Sequence, residues 1–348
     1  MDRSFYISPS PHIKDSDSIP HIMYWVVGAL IPAGIGSVVI FGSRVLWIIA
    51  IAVVVSIMTE WICQLILKRP VRALDGSAII TGILVAYNVP AEVSWWIPAV
   101  GAFVGITLGK MVFGGLGYNP MNPALIGRAF LTASWPLQMT VFQTLPANGT
   151  LSGIDLEGID AISSATPLNM FSQVREILLN VSQYSDRIDL ITQAQVVETR
   201  LYDSTMNLLL GKIGGCIGET SVVLLLFGAA ILMYKRIIGW KIPFFFVGTV
   251  AFFAWLFGGT RGIGTGNPLF HVLSGGLILG AFFMATDMVT SPVTFRGRIF
   301  FGIGCGVLTS VIRLWGGYPE GVSYSILLMN LATPLIDRVT LPKKFGGK

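Results

Sequence analysis

Ile22-Met-Tyr-Trp-Val-Val-Gly-Ala-Leu-Ile-Pro-Ala-Gly-Ile-Gly-Ser-Val-Val-Ile-Phe41 carries no charged side chain, and this run decides the fold class. As a helix it rises about 30 Å, the thickness of a bilayer's hydrocarbon core. Comparable runs recur at about 45–66, 92–113, 213–233, 241–257, 270–290 and 298–315, with three shorter or interrupted ones at about 76–89, 121–140 and 321–336. The reading is an all-α integral membrane protein of about ten transmembrane helices. Composition agrees. Of 348 residues, 53% are hydrophobic and 12% charged, and the mean hydropathy is +0.73. That leaves too little polar surface to cover a water-soluble globule, so the partner of most of the surface is the lipid bilayer, and no nucleic-acid surface is read.

The segment Met1 to Pro20 is polar, holding Asp2, Arg3, Lys14, Asp15 and Asp17, and lacks a small-residue cleavage pattern. The first apolar run is therefore read as a retained anchor. Cys63, Cys216 and Cys305 each stand alone in apolar surroundings, which gives no metal-ligand spacing and suggests core thiols.

Three regions follow. Residues 1–140 and 206–348 hold the apolar runs, and between them 141–205 is polar, with eight acids against three arginines. If the N-terminus is cytoplasmic, fourteen basic residues fall on inner segments (among them Lys68, Arg69, Arg72, Lys235, Arg236, Arg296 and Arg298). Only Arg44, Lys212 and Arg261 fall on short outer ones. This asymmetry places both termini inside and 141–205 outside. A repeat joins the two apolar regions: Pro90 is followed by Gly114-Gly115, and Pro292 by Gly316-Gly317, at a common offset of 202. A short small-residue helix precedes each proline, Gly76 to Tyr87 and Ser274 to Ala285. Five spans per copy is odd, so the second copy would be inverted, with interrupted helices meeting near the midplane.

Polar residues in this setting carry the functional reading. Asp160-Ala-Ile-Ser-Ser-Ala-Thr-Pro167 joins a carboxylate to a hydroxyl through small residues on the outer loop, and spacing alone makes it an exposed turn with a Ser/Thr cap. In Gly114-Gly-Leu-Gly-Tyr-Asn-Pro-Met-Asn-Pro-Ala124, two Asn-Pro pairs precede an apolar helix; Asn119 and Asn122 offer amides, or cap a re-entrant turn. Glu60, Lys110, Arg128, Glu219, Asp287 and Arg313 are ionisable groups within spans, which are costly there and are functional hypotheses by default. Glu219, in Ile217-Gly-Glu-Thr-Ser221, and Asp287, in Ala285-Thr-Asp-Met-Val-Thr-Ser-Pro292, sit among small and hydroxyl residues and are the ion-pathway candidates. The basic residues serve equally as counter-charges.

These strings, with Ser8-Pro-Ser-Pro-His-Ile13 and Leu314-Trp-Gly-Gly-Tyr-Pro-Glu-Gly-Val-Ser-Tyr-Ser325, resemble the RnfD/NqrB family of membrane subunits of respiratory ion-pumping complexes across nearly the whole chain. The first resembles the family's Asp-x-x-(Ser/Thr)-Gly-Ala-Thr signature, with Ser164 in place of the usual glycine. The resemblance implies a fold similar to urea-transporter-type proteins, in a bacterial inner membrane. It also implies FMN in phosphoester linkage to Thr166, installed by a flavin transferase at a motif that includes Asp160 and Ser163. A second, non-covalent flavin, riboflavin or another, would be held at Asn119 and Asn122. The chain would carry electrons, without catalytic residues of its own, among other membrane and peripheral subunits that couple ferredoxin and NAD to Na+ or H+ movement. A urea-channel-type solute or ion transporter without redox activity, or a structural subunit without flavin, are the alternatives.

Overall fold

Ser18 opens the first helix: its Oγ accepts the His21 N–H at 3.4 Å, and Pro20 lies in the first turn, where its missing N–H costs nothing. The computed structural model describes residues 18–140, 142, 166–181, 188–211, 214–219, 221–260, 262–316 and 320–341. In chain order the first half holds α1 (Ile19–Phe41), α2 (Arg44–Ile66), α3 (Ser77–Tyr87), α4 (Trp96–Ile106) running on as a π-helical turn (Thr107–Met111), α5 (Pro123–Ser134) and α6 (Pro136–Thr140). Then come α7 (Pro167–Leu179), α8 (Ile188–Asp203) and α9 (Thr205–Leu210). The second half holds α10 (Val222–Tyr234), α11 (Lys241–Phe257), α12 (Pro268–Leu273), α13 (Leu277–Leu279) continued by a second π-helical turn (Gly280–Met284), α14 (Phe295–Trp315) and α15 (Val322–Thr340).

Three of these, α1, α2 and α14, are long and apolar enough to cross a bilayer, and α3, α4 with its π turn, α10 and α11 are apolar but shorter. Ile35, Val39, Trp47 and Ile66 point outward and are exposed, as side chains facing lipid would be. The run expected at 213–233 is not one helix: α10 starts only at Val222, capped by Ser221, and the Glu219 segment before it is a single 3-10 turn. The run expected at 270–290 is broken twice, at Ser274–Gly276 and again after Met284. At the first break Gly275 takes a left-handed φ of 67°. The run at 121–140 breaks at Trp135, where Pro136 follows.

Small residues set the helix packing. Gly101, Gly105 and Gly109 recur every fourth position along α4 and its π turn, and α5 lies against that stripe; a Cβ on Gly127 would collide with the Gly101 carbonyl oxygen. In the first half α2 packs on α3 and α4, and α4 on α5. In the second half α11 packs on α12 and α14, and α14 on α15. The halves meet where α1 packs on α10 and α5 on α15.

α3 covers about 16 Å, half of the hydrocarbon core, so its first turn would leave N–H groups unmet in an apolar setting. Gly76, with a φ of 92°, lets the chain turn into it, and Asp75 Oδ1 accepts the Ser77 N–H at 2.8 Å. At the same end lies a buried ion pair: Lys110 Nζ from the π turn meets Glu60 Oε2 of α2 at 2.6 Å and Ser77 Oγ of α3 at 2.6 Å, with Lys110 and Glu60 each 1% exposed. Gln64 adds a bond to Glu60 at 3.0 Å. The pair ties α2, α3 and α4 together.

Removing one partner of such a pair strands the other charge, at a cost of about 3–5 kcal/mol. Lys110→Met is expected to lower the detergent-solubilised chain's Tm strongly, and adding Glu60→Leu to restore most of it. If the double variant unfolds as early as the single, the ion pair is not what joins these helices.

Candidate functional site

Pro167 opens a helix. α7 begins with Pro167, and Thr166 is its N-cap, with Oγ1 accepting the Asn169 N–H at 3.3 Å. Thr166 is 4% exposed, so the residue expected in an exposed turn is instead buried. The helix it opens is amphipathic: Leu168, Met170, Phe171 and Val174 of α7 enter the core, and Phe171 meets the His271 ring edge-on at a centroid distance of 5.1 Å. Arg175 then fastens the helix down, donating to the carbonyls of Leu314 at 2.7 Å and Phe257 at 3.1 Å, the C-terminal ends of α14 and α11, where a cation is favoured. Part of the polar stretch is thus packed structure. Asp160 and Ser163, and the N-terminal His12, lie outside the described residues.

For a phosphate esterified to Thr166, the electrostatics fit. The dipole of α7 favours an anion at its N-terminus, although Pro167 has no N–H and the Asn169 and Met170 N–H groups are already held by Thr166. With Thr166 only 4% exposed, little of the residue is open to an approaching flavin in this conformation.

Asn119 and Asn122 line one cavity of about 90 Å³ together with Lys110, Thr286 and Asp287. A wider cleft of about 920 Å³ shares Ile22, Met23, Leu116 and Met288 with it and holds Glu60, Arg69, Arg72 and Asp75. Asn122 is mostly committed: Oδ1 caps α5 at the Ala124 N–H (3.0 Å), while Nδ2 makes a long bond to the Met284 carbonyl (3.4 Å). Asn119 gives Nδ2 to the Met121 carbonyl at 3.3 Å, but its buried Oδ1 has no partner among the described residues. That orphaned acceptor fits an imide N–H such as a flavin edge carries, and Asn119 would hold it, with Asn122 Nδ2 as the weaker contact. Asp287 lies beyond the second π turn rather than in a helix, partly buried, bonded to the Val289 N–H at 3.3 Å and the Thr290 hydroxyl at 3.2 Å. Among the described residues it has no salt-bridge partner. The structure therefore brings Asn119, Asn122 and Asp287 to one cavity.

Glu219 belongs to a different place. It is 6% exposed, Oε2 accepts the Cys216 N–H at 3.4 Å, and Oε1 is buried without a partner among the described residues. Beside it, Arg128 of α5 bonds Asn88 Oδ1 and pairs with Glu320. Arg313 of α14 gives its donors to the carbonyls of His271 (2.6 Å), Ser274 (3.2 Å) and Glu320 (3.1 Å). Leu168 of α7 approaches Gly275, and so does Arg313, which puts this cluster on the Thr166 side. The two sites reach toward opposite ends of α1, although Met284, bonded by Asn122 at one and by Asn88 at the other, lies between them. Ile22, Met23 and Val26 of α1 line the cavity, whereas Ser37 of α1 bonds the Ile217 carbonyl at 2.7 Å, about 21 Å further along the helix.

Asn88, Cys216 and Glu320 were not singled out by sequence reasoning. Asn88 sits at the end of an apolar run and reads as a stop, and Cys216 reads as a core thiol. Glu320 lies in the quoted 314–325 string, and its carboxylate beside Gly-Tyr-Pro was the available signal.

Comparison with known proteins extends the reading to the whole chain. The model of the NQR2, RnfD, RnfE family matches residues 6–346. The chain is 44% identical to the D subunit of the proton-translocating ferredoxin:NAD(+) oxidoreductase complex of Clostridium ljungdahlii, over 99% of its length and 97% of the relative's. It is 43% identical to the D subunit of the Na(+)-translocating ferredoxin:NAD(+) oxidoreductase complex of Acetobacterium woodii, over 98% and 95%. It is 38% identical to the D subunit of the ion-translocating oxidoreductase complex of Stutzerimonas stutzeri, over 94% and 92%. With a buried polar site on each side of a bundle of apolar helices, and similarity to these D subunits running end to end, the chain belongs to the NQR2, RnfD, RnfE family.

Proposed function

We propose that this chain is the D-type membrane subunit of an ion-translocating ferredoxin:NAD oxidoreductase, and that it carries FMN on Thr166 as one station of the electron path. The observation that carries the role is the full-length similarity to the D subunits of two such complexes. The observation that carries the attachment site is Thr166 at the N-terminus of α7, where the helix favours a phosphate. The bound flavin supplies the redox chemistry, and the protein supplies position and surroundings. Because Thr166 is buried, the flavin transferase acts before α7 docks, or on a state in which α7 has lifted away. A second flavin, riboflavin or another, sits at Asn119 and Asn122. Other membrane and peripheral subunits pass electrons to and from both.

The architecture supports an inverted repeat of five helices per half, similar to urea-transporter-type folds. α1 to α5 and α10 to α15 follow one another at nearly the offset of 202, with α12 and α13 together matching α3, and both halves contain a short interrupted helix. Residues 1–140 and 206–348 are then the two membrane repeats and 141–205 the flavin-bearing loop. The basic residues support an inner-membrane chain with both termini cytoplasmic and the α7 side outside. Lys235 stacks on Trp25 near the start of α1 at 4.6 Å, and Arg69 bonds the Gly114 carbonyl on the same side. Glu219 and Asp287 stand on opposite sides of the membrane as stations of the ion path.

Thr166→Ala is expected to abolish in-gel flavin fluorescence while the chain still inserts; a fluorescent Thr166→Ala band would show that the attachment lies elsewhere. A cysteine placed near Gly149 is expected to react with an impermeant reagent from outside, and labelling from the cytoplasmic side alone would reverse the orientation. Asp287→Asn is expected to slow ion uptake into sealed vesicles at least about tenfold, the scale of removing one charged site, with flavin content unchanged. Normal uptake would take Asp287 off the path.

A further inference from the structure

The cluster beneath α7 holds two carboxylates, Glu219 and Glu320, and two guanidiniums, Arg128 and Arg313, yet among the described residues only Arg128 and Glu320 form a salt bridge there. Cys216, Glu219 and Glu320 each present a ligand atom within 4.8 Å of the others. Carboxylate oxygens no further apart than this can share one hard cation, whose contacts to oxygen are about 2.3–2.6 Å. Arg128 is the cation found there: Nη2 pairs with Glu320 Oε2 and approaches Cys216 Sγ at 4.0 Å, while Nη1 holds Asn88 Oδ1. Arg313 is the other charge near Glu219, but its guanidinium is committed to three carbonyl oxygens. Glu219 thus keeps a buried, unpartnered Oε1 beside Gly276, at the start of α13. A lone buried carboxylate oxygen in lipid-surrounded protein is costly unless a cation or proton reaches it.

We propose that Glu219 and Glu320 form a monovalent-cation station on the α7 side, and that the side chain of Arg128 is its exchange partner. With the station empty, Arg128 neutralises Glu320. When a sodium ion bridges the two carboxylates, or a proton neutralises one of them, Arg128 lets go of Glu320 and is retained by Asn88. Arg128 lies on α5 of the first half and Glu320 at the start of α15 of the second, so cation occupancy makes or breaks a bond between the halves. The thiol of Cys216 is too soft to ligate such an ion and serves as a bystander that Arg128 covers. This station rests on the reading that the complex moves its ion through this chain, and it adds Glu320 and Arg128 to that path.

The test uses the assembled complex in liposomes, with ferredoxin-to-NAD electron transfer measured against sodium at fixed pH and, separately, against pH without sodium. Arg128→Gln removes the competitor, so the cation concentration giving half-maximal rate is expected to fall at least about threefold in one of the two arms. Glu320→Gln is expected to raise it. The arm that responds identifies the ion. A simple strut predicts poorer assembly with an unshifted cation curve, and unshifted curves in both arms would overturn the station. Should the variants fail to assemble, the unaltered complex decides: alkylation of this chain's three cysteines is mapped by mass spectrometry with sodium or choline, and across pH. Cys216 is expected to react faster when the cation is present, relative to Cys63 and Cys305. An unchanged ratio under both treatments contradicts the exchange. In-gel flavin fluorescence recorded on the same samples tells failure of the station from failure of flavin attachment.

Discussion

A helix that stops inside a bilayer leaves backbone N–H groups that water cannot reach, and much of this molecule answers that constraint. α3 begins at depth and is met by Asp75, with Lys110, Glu60 and Ser77 closing the space beside it. α13 begins at depth from the other half, and Glu219 lies beside Gly276 at its start without capping it. α5 and α12, each opened by an Asn-Pro pair, are capped by Asn122 and Asn267. The polar residues that look expensive from the sequence are thus gathered at helix starts, where the backbone needs them. The same gathering creates the two buried polar sites.

Those two sites differ in how their charges are balanced. At the cavity end Lys110 is fully occupied by Glu60 and Ser77, so Asp287 shares the cavity with an ammonium that is already spent. At the α7 end Arg128 serves Glu320 across the halves, and Glu219 keeps an unmet oxygen. Among the described residues neither Asp287 nor Glu219 forms a salt bridge. A flavin at Thr166 would sit on the same side as the second of these, through α7, Gly275 and Arg313.

The long spans were legible because an apolar run of about 20 residues has only one stable use in a chain this poor in charge. α1, α2 and α14 came out as expected, with ends shifted by a few residues. The broken helices were legible as small-residue stretches, but not where they break. The break at Ser274–Gly276 depends on Gly275 adopting a left-handed φ, and nothing local distinguishes that glycine from Gly276 or Gly280. Thr166 was legible as a motif and a cap, but not as buried. The helix that it caps docks through Leu168, Phe171 and Arg175 on helices far away in sequence, and no local pattern encodes that. Glu320 and Cys216 escaped for the same reason, since only the fold places them beside Glu219.

The central claim is that a flavin phosphate is joined to Thr166 at the start of α7. Peptide mapping by mass spectrometry of the chain isolated from its assembled complex tests it most directly. The account predicts that the peptide spanning Asp160 to Arg175 carries the mass of FMN and that fragmentation localises it to Thr166. An unmodified peptide from a fully active complex, or a flavin localised to another residue, would contradict it.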